Sequence, residues 1–200
     1  MLWTLLAAAA QLSAPVPTNN WLTVGDTPAE LAGSQSVLVR LRLTILPDGH
    51  VQACGIEESN GNPRVDLQTC ELARTRAVFR PAKSATGSPT YGVFRVPLLW
   101  KAPAHPPVIE GDIVVSVKEL PNRLKSPVLV SVTLAVDSDG AISACIAAPP
   151  PGHAANHAID PLRPLACGQI LANYKARPAK DANNAAVASV QNAVVEFTTN

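Results

Sequence analysis

The chain has 200 residues and a formal net charge of +1 from 16 basic and 15 acidic side chains, a balance with no long-range field to attract nucleic acid or an anionic membrane. With 47% hydrophobic residues it does not read as a disordered chain, and 19 prolines against 11 glycines point to strands joined by stiff turns.

The N-terminal apolar run Leu2 to Ala10, followed by small and Pro-containing sequence, reads as a secretory leader, too short for the roughly 20 apolar residues of a spanning helix. Ala8-Ala9-Ala10 ahead of Gln11 has the small-x-small form and Ala14 ahead of Pro15 is a second site, so residues 1–14 bound the leader and no membrane insertion is expected after cleavage. From Trp21 to Ala32, an Asp26 or Thr27 cap with Pro28 in the first turn predicts a short helix.

Val37, Val39, Leu41, Leu43 and Ile45 then alternate with residues that include Arg40, Arg42 and Thr44, the period of a strand with one buried face. Asp48-Gly49 turns the chain, because glycine takes the positive φ of a tight reversal, and Val51 to Glu57 returns. Ser59-Asn60-Gly61-Asn62-Pro63 forces a second turn, and Arg64 to Arg76 lacks Gly and Pro and predicts a helix. Thr90 to Trp100 is the last strand of the unit.

Ala102 to Pro107, with its crowded prolines, is a linker. After it the pattern recurs: Val128 to Val136 repeats the strand, Asp139-Gly140 the turn, and Arg177-Pro178-Ala179-Lys180 the earlier Arg80-Pro81-Ala82-Lys83. Leu165 to Lys175 supplies the helix, Ala185 to Phe197 the final strand, and Ala148 to His157 is an insert. The chain therefore divides into residues 15–101 and 108–200, joined by 102–107: two copies of one unit of about 80 residues.

Each copy owns one Cys on its returning strand and one in its helix, so the repeat pairs Cys54 with Cys70 and Cys145 with Cys167 as disulfides of an exported protein. Closing a loop of about 15 residues stabilises by roughly 3 kcal/mol in the chain-entropy model. No CxxC pair supports a metal site in their place.

The first unit resembles the C-terminal domain of the TonB energy-transducer family, through its alternating strand, Pro47-Asp48-Gly49, Ser59-Asn60-Gly61, Val65-Asp66, Phe79-Arg80-Pro81-Ala82, Gly87-Ser88-Pro89 and Val96-Pro97 ahead of an aromatic. The second unit keeps Asp139-Gly140 and Arg177-Pro178-Ala179 and looks like a diverged copy. The resemblance implies an α+β fold: two tandem units, each a small antiparallel three-stranded sheet with helices packed on one face. It also implies a periplasmic location and capture of an extended segment of an outer-membrane receptor, or of another envelope protein, on a sheet edge. The expected edge is Thr90, Tyr91, Gly92, Val93, Phe94, Arg95 and Val96, before Pro97 removes a donor. The other reading is a structural envelope module that forms a homodimer through its sheet edges. With no spanning anchor or long Pro-rich spacer in view, energy transduction by this chain alone is not expected.

Enzymatic chemistry finds no residues to carry it, and neither a metal nor a cofactor is expected. His50, His105, His153 and His157 sit in a hairpin tip, the linker and the Pro-rich insert. Glu57 and Glu58 are adjacent on a strand, where alternation would send them to opposite faces. Arg80, Lys83, Arg177 and Lys180 recur in both units, at turns that they solvate or as contacts for an acidic partner.

Overall fold

The structure, a computed structural model, describes residues 11–31, 36–59, 61–101, 110–147 and 156–199. In chain order the main elements are β1 (Val37–Ile45), β2 (Val51–Glu58), α1 (Pro63–Arg76), β3 (Gly92–Trp100), β4 (Ile113–Val117), β5 (Val128–Val136), β6 (Ile142–Ala147), α2 (Leu162–Asn173) and β7 (Ser189–Thr199).

The repeat is realised as two equivalent hairpins, β1 with β2 and β5 with β6. Gly49 (φ 93°) and Gly140 (φ 86°) close them, and each carbonyl accepts from the chain that leaves the following helix, Phe79 N–H and Ala176 N–H, both at 2.9 Å. In the first half Val39, Leu41, Leu43 and Ile45 are fully buried against Val65, Leu72 and Ala73 of α1. Asn62 caps that helix by accepting from the Arg64 N–H at 3.1 Å, with Pro63 in the first turn where it forfeits no helical bond. In the second half Val130, Val132, Leu134 and Val136 meet Leu162, Ala166 and Ile170 of α2. The disulfides Cys54–Cys70 and Cys145–Cys167 hold each helix to its outer strand, with Cα atoms 5.5 and 5.4 Å apart.

The expected pair of three-stranded sheets is not what forms. Among the described residues the halves merge into one seven-stranded mixed sheet in the order β6-β5-β7-β3-β1-β2, with β4 also paired to β7. β7 is antiparallel to β5 from Ser189 to Phe197, while its other side runs parallel first to β3, at Gly92 and Val93, and then to β4, from Val195 to Thr199. Each unit alone would leave a row of unpaired N–H and C=O groups on its last strand; β3 satisfies the start of the β7 row, β4 satisfies its far end, and β7 in turn satisfies the start of the β3 row at Gly92 and Val93.

That join also overturns the expectation of helices on one face. Paired residues of neighbouring strands share a face, so the partners Gly92 and Val190 lie on the same side of the sheet. Gly92 is on the side of Phe94, Val96, Leu98 and Trp100, which pack in the α1 core, whereas Ala193, Val195 and Phe197, which pack in the α2 core, alternate with Val190 onto the other side. The helices therefore occupy opposite faces. The uncovered part of each face is closed by the other unit: Leu12, Ala82 and Val190 form a small core with Ala135, Ala144 and Ile146, and the 177–180 segment lies over Arg42, Thr44 and Gln52. This second layer explains why Arg42 and Thr44 are buried.

The short helix expected from Trp21 to Ala32 is two 3-10 turns, Val24–Asp26 and Ala29–Leu31, with Thr23 rather than Asp26 or Thr27 as the cap; Ala32 lies outside the described residues. Part of the lead is built into the fold: Leu12 is buried, Ser13 exchanges two backbone hydrogen bonds with Lys83, and Val16–Pro17 pairs with Phe79–Arg80.

Candidate functional site

The border expected to be open from Thr90 to Val96 is occupied along most of its length. Thr90 pairs with Ala82, Tyr91 accepts from Val190 N–H at 2.9 Å, and Gly92 and Val93 pair with Val190 and Gln191. Phe94 sits edge-on to Phe79 with ring centroids 5.2 Å apart. Arg95 is met by the Asn192 side chain, whose Oδ1 accepts from its N–H and whose Nδ2 donates to its carbonyl. The row of chain-occupied positions ends at Arg95, and Val96 turns its backbone to β1.

Beyond Arg95 the sheet forks. β3 follows β1 while β4 takes its place beside β7, with the Asp112 N–H donating to the Val194 carbonyl at 2.7 Å. Backbone groups alternate in direction along a strand, so Pro97 and Leu99 turn the same way as Tyr91, Val93 and Arg95. Pro97 presents a carbonyl there, and Leu99 both an N–H and a carbonyl, with no backbone partner on that side among the described residues. A groove of about 350 Å³ runs alongside, lined by Leu22, Thr27, Leu98, Leu99 and Trp100, with Val24 93% exposed beside it. Such a border with an apolar flank can hold an extended chain by its backbone and choose among alternate side chains.

A second constellation lies between the halves. Glu57 faces three guanidinium groups: Arg177 at 3.1 Å, Arg95 at 3.4 Å and Arg42 at 3.7 Å. Burial, then the neighbouring charges of Arg177 and Arg95, pull the Arg42 guanidinium down to about 10. Arg42 also donates to the carbonyls of Arg177 and Pro178, at 2.9 and 3.2 Å, so the cluster fastens one half to the other.

No protein-family model, curated protein or solved structure matches the chain.

Glu57 and Glu58 do not diverge: the register shifts opposite Arg40 and Leu41, and Glu58 meets Arg40 at 3.3 Å while Glu57 meets the three arginines. His50 lies 3.2 Å from Asp48 and His157 lies 2.9 Å from Asp160, both exposed; His105 and His153 fall outside the described residues. Among the described residues no group of three or more His, Cys, Asp and Glu could hold a metal, and no helix is long and apolar enough to cross a membrane. Of the recurring basic residues, Arg177 pairs with Glu57 and Lys180 with Asn184, whereas Arg80 has no side-chain partner among the described residues. Sequence reading missed the fork and the groove that Leu22, Val24 and Leu99 line. One signal was present: Tyr91 to Phe94 is apolar on both faces, the mark of a strand enclosed between neighbours rather than of an edge.

Proposed function

We propose that the protein binds an extended segment of another polypeptide by strand addition to the first unit, at the border running from Pro97 to Lys101. The observation that carries this reading is the asymmetry of the fork. In the second half β4 fills the border of β7 from Val195 to Thr199, whereas the corresponding stretch of β3, which ends at Trp100 as β7 pairs out to Phe197, faces a groove. β4 is parallel to β7, so the bound segment lies parallel to β3 and sets alternate side chains toward Leu22 and Leu98. The second unit needs no partner at this position because it supplies its own strand.

Two disulfides fit an oxidising compartment and the apolar N-terminal run fits export, and both support a periplasmic location. With the motifs that resemble TonB domains, this makes the partner a periplasmic segment of an outer-membrane receptor, or another envelope protein, in TonB-dependent transport. The role is binding rather than catalysis. Titrating isotope-labelled protein with a synthetic peptide from the N-terminal segment of such a receptor is expected to shift the Leu99 and Lys101 amides saturably. Leu99→Pro, which deletes an N–H that points away from β1, is expected to abolish binding. Shifts that leave Leu99 untouched, or full binding by the variant, would refute the reading.

A second reading, self-association through sheet edges, draws on the outer borders of β2 and β6, which carry no neighbouring strand among the described residues. Light scattering distinguishes it: a dimer abolished by a proline on β6 and retained by Leu99→Pro would favour this reading over the first.

A further inference from the structure

Between the lead and the second half lies a cavity of about 280 Å³, walled by Leu12, Pro15, Val16, Phe94, Ile146 and Val194. Of the polar side chains that also line it, Asn192 is bonded to Arg95, whereas those of Arg80, Ser131 and Thr133 have no hydrogen-bond or ion-pair partner among the described residues. Arg80 is exposed and so sits where the cavity meets solvent.

The internal repeat explains both the space and the unpaired charge. Arg80 corresponds to Arg177, and in the first half Arg177 is neutralised by Glu57 while the long side chain of Arg42 fills the interval beneath it and bonds to the Arg177 and Pro178 carbonyls. In the second half the sequence places Ser131 where the first has Arg40, Thr133 where it has Arg42, and Ala148 where it has Glu57. Thr133 thus stands where Arg42 fills the interval in the first half, and the sequence position of Glu57 carries no carboxylate in the second. An apolar cavity with a few convergent polar groups is the usual form of a small-molecule site.

We infer that this cavity binds a small amphiphilic carboxylate, whose anionic end takes the place beside Arg80 that Glu57 takes beside Arg177 and whose hydrocarbon tail fills the space vacated at Thr133. An apolar cavity of about 150 Å³ takes benzene, so 280 Å³ accommodates about ten non-hydrogen atoms, the size of octanoate. The Ser131 hydroxyl, also on the cavity wall, is a donor available to the second carboxylate oxygen.

The test titrates purified protein with octanoate, octan-1-ol and acetate, read by calorimetry and by amide shifts. Octanoate is expected to bind with shifts at Thr133 and Ala193, more tightly than octan-1-ol, and acetate not at all. Arg80→Gln, an exposed change that leaves the core intact, is expected to weaken octanoate about tenfold by removing a charge-assisted pair, with octan-1-ol unchanged. Thr133→Arg, which restores the filling side chain of the first half, is expected to abolish binding of both. Absence of shifts at Thr133 and Ala193, or equal octanoate affinity in Arg80→Gln, overturns the inference whatever Thr133→Arg does to the fold.

Discussion

Asn192 pairs with Arg95 as one strand residue pairs with another, but with its side chain: Oδ1 accepts from the Arg95 N–H at 2.7 Å and Nδ2 donates to the Arg95 carbonyl at 3.0 Å. The contact stands where β3 parts from β7. It carries the ladder one step beyond Val93 and Gln191, and without it two backbone groups inside the molecule would lack partners.

Asn192→Ala is therefore expected to destabilise by about 2 kcal/mol, the cost of leaving partly buried polar groups unpaired. Asn192→Asp keeps the acceptor and loses the donor, and should fall between. Denaturant melts give the stabilities, and faster hydrogen exchange at the Arg95 amide, with that of Leu43 unchanged, locates the effect at the fork.

Among the described residues Glu57 is the single carboxylate that meets Arg42, Arg95 and Arg177. Glu57→Gln leaves three cations facing one another at the contact of the two halves, and an expected loss of about 1–3 kcal/mol allows for its partial exposure. Because Glu57 and Arg177 act together, the double variant Glu57→Gln with Arg177→Gln should lose less than the sum of the single ones. A double-mutant cycle measures this, and strict additivity would mean that the pair contributes nothing.

A methyl group at Gly49 would come within 2.1 Å of the Phe79 carbonyl oxygen, and at Gly140 within 2.4 Å of the Ala176 oxygen, whereas at Gly61 it meets nothing. All three have positive φ. Gly61→Ala should therefore cost only the backbone strain, about 1 kcal/mol. Gly49→Ala and Gly140→Ala should each exceed about 2 kcal/mol, since the turn must also move off the chain it holds. Equal effects at the three positions would remove the close approach from the account.

Asp26 accepts from the Thr23 hydroxyl and N–H, at 2.7 and 2.8 Å, and meets Arg76 at the end of α1 at 2.7 Å. The bonds from Thr23, then that from Arg76, hold its carboxyl below the ordinary 3.8. A lowered folded-state value means that the contribution to stability is complete above 3.8 and is lost as the pH falls through the lowered value. Asp26→Asn should thus melt below the wild type at neutral pH, and the gap should close in acid below that range. A gap that stays constant into strong acid would contradict the assignment.

How much of this could be read from residues alone differs by element. Val37 to Ile45, the turn glycines and the Arg64 to Arg76 helix are written in local periodicity and in backbone permission, and both hairpins and both helices stand close to where that reading puts them. The disulfides followed from repetition, because each copy carries its own pair of cysteines. The border from Thr90 to Val96 was expected to be open, and most of it is paired; among the described residues the β3 backbone groups without a partner begin at Pro97.

The amino-acid sequence by itself determined that one unit is present twice, how each copy bends back on itself, and where each is cross-linked, since all three depend on residues near one another in the chain or on direct repetition. Only the tertiary structure decided that Val93 and Val190 belong to one sheet, that the helices take opposite sides of it, that β4 rather than a partner lies on β7, and that Arg42 is enclosed while Arg80 has no counter-charge among the described residues. A strand's hydrogen-bonding groups are the same whatever its side chains, so which strand lies beside β3 is settled by the geometry of the whole molecule.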